Sequence, residues 1–418
     1  MQPKYQAVFW FLLALPPSAG RAEDWPAFRG PDGNGHARGA KPPVRWSVEQ
    51  NVTWQRAIPG EGWSSPVVAG NRVYLTAAVP RPRDEGKTDY SLRLLGLDAH
   101  TGRMVFDEEV FQQDADTSAA IHSKNSHASP TPLVDGDRVF VHFGHEGTAC
   151  FDLHGRRRWA NRELRYEPVH GGGGTPILVG ENLIFAGDGA RNPFVVSLDA
   201  GTGRVRWKVP RESDAEKTFS FSTASVVEVQ GRPQVVTPGS NVVLALDPST
   251  GATIWRVRYQ GYSVIPKPVS GGGLVYIGTG YDRPRLLAIR LGGAGDITET
   301  HLAWTADSNV PHTPSLLLVG GELFMISDHG IASCLDAATG RQIWQRRVGG
   351  NHSASPVHAA GLIYFQSEEG TTTVVRAARD YEVVARNTLS GRTLASPAVT
   401  GGALLLRSDT HLFRIDER

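Results

Sequence analysis

Two cysteines, three methionines and no surplus of either charge are the first limits on this 418-residue chain. Two cysteines, Cys150 and Cys334, exclude a disulfide-dense scaffold. They are not adjacent, and no C-x-x-C-H is present for haem attachment. Lys plus Arg number 43 against 42 for Asp plus Glu, which removes the electrostatic case for nucleic acid or an anionic membrane surface. Serine-hydrolase elbows, H-E-x-x-H and EF-hand loops are all missing. After the first residues, no apolar run is long enough to span a bilayer. Glycine and proline are plentiful, at 47 and 27. They suit many short strands joined by tight turns.

The one long apolar run is AVFWFLLAL (7–15), preceded by Lys4 and followed by small residues up to Ala22. This pattern predicts a secretory signal peptide over 1–22, with an uncleaved anchor as the alternative. No cysteine follows the run, which argues against a lipid anchor. Residues 23–50 read as an irregular segment packing on the main domain, 51–418. Its DWPAFRGPDGNG (24–35) is rich in turns, and PDGNG is not taken as a calcium loop.

One phrase recurs through that domain: LDAHTGRMVF from Leu97, LDAGTGRVRW from Leu198, LDPSTGATIW from Leu246 and LDAATGRQIW from Leu335. A shorter version, FDLHGRRRW, runs from Phe151. A strand ends at the Asp, x-x-Thr-Gly makes a tight turn, and a second strand carries the Trp. Six of the ten tryptophans hold this place: Trp54, Trp159, Trp207, Trp255, Trp304 and Trp344. A second phrase precedes each turn, Ser or Thr, often Pro, and two apolar runs around a Gly or Asp turn; it begins at Ser64, Ser129, Thr175, Thr223, Lys267, Thr313, Ser355 and Ser396. Each pair of hairpins makes a four-stranded unit, and eight units predict an all-β, eight-bladed propeller. The chain ends after three strands, and NVTWQRAIPG (51–60) predicts the strand that completes the last blade. The fifth and seventh units are degenerate, so seven blades is the competing count.

The phrase resembles the PQQ-like propeller repeat, A-x-D-x-x-T-G-x-x-x-W, which Ala245 to Trp255 matches position by position. DWPAFRGPDGNG also looks like the opening of many exported bacterial members. The resemblance implies the propeller fold. Its family holds PQQ- and calcium-dependent dehydrogenases and non-catalytic members, such as the propeller subunit of the outer-membrane assembly machine. The dehydrogenases typically carry adjacent cysteines over the quinone, which this chain lacks. Cys150 and Cys334 fall in the second and sixth blades, across the ring, too far apart for the ~7 Å Cα limit of a disulfide; both read as buried small residues.

Candidate ligand residues cluster on one face. In an up-and-down blade, the loop before the innermost strand and the loop between the second and third strands share a face. His122 and His127, His170, His312 and His352 lie there, five of fourteen histidines, with Trp63, Phe221, Tyr262 and Arg392. Acidic groups join them: Glu146, Asp188, Asp282, Asp328, Glu368, Glu369 and Asp409. Two insertions of the first unit, 78–93 and 107–129, also fall there and read as loops. His127, His170, His312 and His352 are the candidates to hold a ligand or cofactor. A metal could be held only by neighbouring pairs, His127 with His170 or His312 with His352; no catalytic residue is assigned. The Gly171–Gly174 run marks close backbone approach rather than a phosphate loop. The expectation is therefore an exported, periplasmic or secreted monomer that binds a protein or small polar ligand, with no nucleic acid and no membrane span after signal cleavage. The runner-up is a PQQ-dependent oxidoreductase with a divalent ion, and a third reading is a subunit in outer-membrane protein assembly.

Overall fold

A computed structural model describes residues 24–118 and 120–417, apart from the side chain of Glu85. The expected signal peptide, 1–22, lies outside the described residues. Eight sheets, each built on four antiparallel strands, form the ring. Blade 1 starts at Val67–Ala69, blade 2 at Leu133–Asp135, blade 3 at Ile177–Val179 and blade 4 at Ser225–Val229. Blades 5 to 8 start at Val269–Gly271, Leu317–Val319, Val357–Ala359 and Ala398–Thr400. In blade 8 the outer strand is Val52–Ala57, paired antiparallel with His411–Ile415. The first strand of the propeller thus completes the last blade and closes the ring.

The recurring Trp is an inter-blade latch. Trp54, Trp159, Trp207, Trp304 and Trp344 donate Nε1–H to a carbonyl in the next blade: Ala99, Ala200, Pro248, Ala337 and Ala378 respectively. In the first four cases that carbonyl belongs to the x-x-Thr-Gly turn. Blade 5 has no such turn, so Trp255 turns instead to Gln234 Oε1 of its own blade, at 3.0 Å. A two-residue strand, Gly295–Asp296, then adds in parallel outside Trp255. Opposite five of the six Trp the third strand carries a small residue, Cys150, Ser197, Ala245, Ala288 and Cys334, while Trp54 faces Arg414. The two cysteines are free and buried. They serve as small residues beneath an indole, and burial pushes their thiols up to about 11 and about 12. Blade 7 has Ala385 in the Trp place. Trp46 of the N-terminal segment lies in the same buried cluster, stacked on Tyr364.

The Ser/Thr that opens each unit also has a structural reason. Ser65, Thr131 and Thr175 donate their backbone N–H to the hydroxyls of Thr131, Thr175 and Thr223 in the following blade, at 3.0, 3.0 and 2.9 Å. Lys267, Ser315 and Ser355 donate likewise to Ser315, Ser355 and Ser396, at 3.0, 3.0 and 2.8 Å. This circumferential belt ties blade to blade around the channel. Proline often follows because the next backbone N–H is not needed. Lys267 is the unit that lacks a hydroxyl, and the belt is interrupted there and, among the described residues, again between Ser396 and Ser65.

Blade 1 departs from the expected loops. The first insertion is a strand extension: Arg72–Pro82 pairs with Thr88–Asp98, and Met104–Gln113 follows. The inner strand ends at Ala69, so the far part of Arg72–Pro82 is an edge, where Pro80 and Pro82 remove no ladder bond. Arg81 with Glu109 and Arg93 with Asp107 bridge this arm on its surface.

Candidate functional site

The N-terminal segment closes one end of the channel. Asp24 caps the first turn of blade 1 through Gly70 N, and Trp25 pairs with Val68 through backbone bonds of 2.9 and 2.8 Å. Pro26 O accepts from Val134 N of blade 2. Arg29 crosses to blade 6, donating Nη2 to Leu316 O at 2.6 Å. His36–Ala37 pairs in parallel with His358–Ala359 of blade 7. Arg29 is buried, with Nε and Nη1 lacking acceptors, and burial lowers its pKa to about 9 despite Asp32. Lys267 is buried beside it, and burial, then Arg29, lowers its pKa to about 7. An ideal Cβ on Gly33 would stand 2.5 Å from Lys267 Nζ, so the plug passes close against the end of that side chain.

The other end is crossed by the second insertion of blade 1. Its stretch HSKNSH (122–127) is tied to blade 3 by Asn125 Nδ2 donating to His170 O at 2.7 Å. It reaches across the ring through Lys124, whose Nζ is 2.9 Å from Glu368 Oε1 and 3.9 Å from Asp328 Oδ1. Those carboxylates are 11% and 8% exposed, on blades 7 and 6. Asp328 also accepts from His312 N and Thr313 Oγ1, and Glu368 from Ser353 Oγ. The stretch is a strap over the channel mouth. Lys124→Ala is expected to lower stability by no more than ~1 kcal/mol, because the lysine is partly exposed. Amide exchange across 120–129 should quicken all the same. Unchanged exchange there would show that Lys124 does not hold the strap.

Between plug and strap lies a cavity of about 110 Å³, lined by Phe28 of the plug, by Trp63, Phe221 and Leu394, and by hydroxyls of the belt. Arg392 lies over the Trp63 ring. Gly173 forms part of the wall, and a Cβ there would sit 2.8 Å from Phe221 Cβ. Close approach is thus what the glycine run provides.

The four candidate histidines are differently placed. His170 is exposed, and its ring meets His122 on one side and Phe219 on the other, both at 5.5 Å. Phe219 continues to Tyr262, Tyr262 to Tyr281, and Tyr281 to His312. An arc of aromatic rings therefore runs around the strap face from blade 2 to blade 6, with Lys217 Nζ over Tyr262. His127 instead stacks on Tyr90 of the blade 1 arm at 4.0 Å, and burial lowers its pKa to about 4. His352 is buried between two carbonyls, Gln366 O and Gly349 O, each 3.0 Å from a ring nitrogen. Neither His127–His170 nor His312–His352 is joined by a ring contact or hydrogen bond, and among the described residues no three His, Cys, Asp or Glu converge to hold a metal ion. Asp188, another candidate, is buried against Arg211 at 2.9 Å. Phe219 and Tyr281 escape sequence reasoning because they belong to no repeated phrase; only the ring places them beside the histidines.

Buried neutral histidines also set an acid limit. His142 is fully enclosed, and burial, then His145, lowers its pKa to about 3. The unfolded chain binds the proton near the ordinary 6.5. Between those values the unfolded state holds more protons, so stability falls as pH drops below 6.5. The slope is up to ~1.4 kcal/mol per pH unit for this proton. Urea midpoints at several pH values would check it; the fall should be shallower in His142→Gln.

A family model described as outer membrane protein assembly factor BamB matches residues 47–159, 88–245 and 293–380. The chain belongs to the PQQ-like β-propeller family. Solved structures of like fold include BamB from Moraxella catarrhalis, 13% identical, covering 88% of this chain and 97% of that one, with TM-score 0.60. A europium-containing methanol dehydrogenase is 10% identical, covering 92% and 90%, with TM-score 0.67. A quinohemoprotein alcohol dehydrogenase from Pseudomonas putida HK5 is 12% identical, covering 94% and 80%, with TM-score 0.61. At these identities the likeness shows the fold alone. No curated protein matches the chain.

PQQ is a flat tricyclic quinone with three carboxylates. Strap and plug cross the channel cavity at its two ends, its lining is made of hydroxyls, glycine and apolar groups with no cationic side chain for those carboxylates, and among the described residues no cluster of His, Cys, Asp or Glu could hold the cation. The PQQ-and-cation arrangement does not fit these residues.

Proposed function

We propose that this propeller is an exported, non-catalytic binding protein whose partner is a polypeptide docking on the strap face. One observation carries the reading. The chain's own strap and plug occupy the two ends of the channel, where a quinoprotein would need an open funnel, while aromatic rings are left half-exposed around the strap. Aromatic residues are enriched where proteins meet. Tyr281 is 55% exposed and lies between Tyr262 and His312 in the arc. In this reading His170 and His312, with Phe219, Tyr262 and Tyr281, make the contact, while His127 and His352 support the loops from within. The family model, described by an outer-membrane assembly factor, is consistent with a protein partner. Export rests on the N-terminal apolar run, and no helix among the described residues is long and apolar enough to cross a membrane.

A photo-crosslinking residue at Tyr281, compared with one at Thr202 on the opposite face, tests this in cells. Discrete adducts at Tyr281 and none at Thr202 are expected. Equal labelling at both positions would remove the strap face as the docking surface. Saturable PQQ binding with dye reduction would replace the proposal with the oxidoreductase reading.

A further inference from the structure

The belt that joins the blades leaves a set of proton donors without acceptors. Thr131, Thr175, Thr223, Ser315, Ser355 and Ser396 each accept a backbone N–H through the hydroxyl oxygen. Among the described residues, none of these six hydroxyls has an acceptor for its own proton. All six are at least nine-tenths buried, and all six line the central cavity. The lining has no carboxylate of its own. Asp328 and Glu368 stand behind Thr313 and Ser353 at the rim, where they are bonded to those hydroxyls and to Lys124.

Beneath the floor the charge is positive. Phe28 forms the floor, and the next residue is Arg29, buried with two guanidinium nitrogens unpartnered. Lys267 occupies the belt position that carries Ser or Thr in the other blades, and its Nζ has no hydrogen bond or ion pair among the described residues. Asp32 is the carboxylate that acts on both, but its side chain is 30% exposed and it is bonded to Arg38 and Asn34. Buried cations are ordinarily paired, since leaving them unmatched is costly. Inward-facing hydroxyl donors above Arg29 and Lys267 favour a bound anion, and an anion there would in turn hold the Lys267 proton that burial weakens. A cavity of about 110 Å³ has room for a small polyatomic ion or several waters, since ~10–15 Å³ of such space suffices for one water.

We propose that the central cavity binds one small oxyanion, of sulfate or phosphate size, held by the protons of the belt hydroxyls with Lys267 and Arg29 supplying positive charge from below. This site is independent of partner docking on the strap face, and either can fail without the other.

Equilibrium dialysis of the full mature chain with radiolabelled sulfate or phosphate, at fixed ionic strength, tests it. One ion per chain is expected, with a saturable rise in Tm of ~2 °C or more. The Lys267→Ser variant restores the residue type that other blades carry, so it should fold. Its affinity should fall about tenfold or more, because a nearby charge in a low-dielectric site is lost. In crystals soaked with selenate, the anomalous peak should lie inside the belt. No saturable binding, an unchanged affinity in Lys267→Ser, or a peak confined to the outer surface would each overturn the assignment. Comparing the two ions separates a sulfate site from a phosphate site.

Discussion

Trp25→Ala is expected to destabilise the protein by ~3–5 kcal/mol, the usual loss for truncating a buried Trp in a packed core. Trp25 is 1% exposed. Its ring packs so closely on the next turn that a Cβ on Gly30 would come within 2.8 Å of it. Its backbone is laddered to Val68 of blade 1. The residue therefore anchors the segment that carries Phe28 and Arg29 to the channel floor. Loss of the indole should release the plug as well as lower stability. Two measurements check this together. Urea unfolding should show the lower midpoint. Under native conditions, amide exchange over 24–37 should quicken and Lys267, shielded in the parent protein, should become reactive towards amine reagents. A full stability loss without any change at Lys267 would mean that the plug stays seated without its anchor.

Gly251→Ala is the second large effect, and it tests the repeated phrase itself. Gly251 has φ +75°, a left-handed conformation that costs a side-chain-bearing residue ~1–2 kcal/mol. A Cβ there would also lie 2.7 Å from Trp207 Cε3, the indole of the preceding blade, and such overpacking adds ~1–3 kcal/mol. The expected loss is ~2–5 kcal/mol in total. Gly180 provides the control. It has φ +58°, and a Cβ there would meet nothing within 4 Å. Gly180→Ala should show the backbone cost alone, ~1–2 kcal/mol. Equal losses at the two positions, measured by urea unfolding, would mean that the Thr-Gly turn needs glycine for its backbone only and that the Trp latch is soft.

These two glycines illustrate how much of the fold is legible in the amino-acid sequence. Asp-x-x-Thr-Gly with a Trp at fixed spacing is a local signal, because turn chemistry and strand alternation act over a few residues. Repetition multiplies that signal, so the blade count and the closure by Val52–Ala57 follow from counting. The degenerate units are visible as exceptions, but their repairs are not. Trp255 bonding Gln234, and Trp46 entering the cluster of blade 7, join residues far apart in the chain.

The candidate site is legible only by face. Loop position within an up-and-down blade puts His170 and His312 on the same side of the ring as Trp63 and Phe221. It does not distinguish an exposed ring such as His170 from one enclosed by its own loop, such as His352, because burial depends on the neighbouring blade. The first insertion reads as a loop and folds as paired strands; pairing partners decide that, not composition. The Ser/Thr-Pro phrase reads as punctuation, and the belt it builds emerges only when eight blades stand side by side. Lys267 reads as an irregular first residue of one unit.

By itself, then, the sequence determined the all-β class, the repeat and the face that carries the histidines, and favoured eight blades over seven, since periodic patterning and turn chemistry are written residue by residue. Tertiary structure alone decided that the channel is plugged by Trp25 to Ala37, strapped by Lys124, and ringed by inward-facing hydroxyls above Arg29 and Lys267. Those features arise where segments distant in sequence meet around a closed ring, and their charges and hydrogen bonds have no meaning until the ring has brought them together.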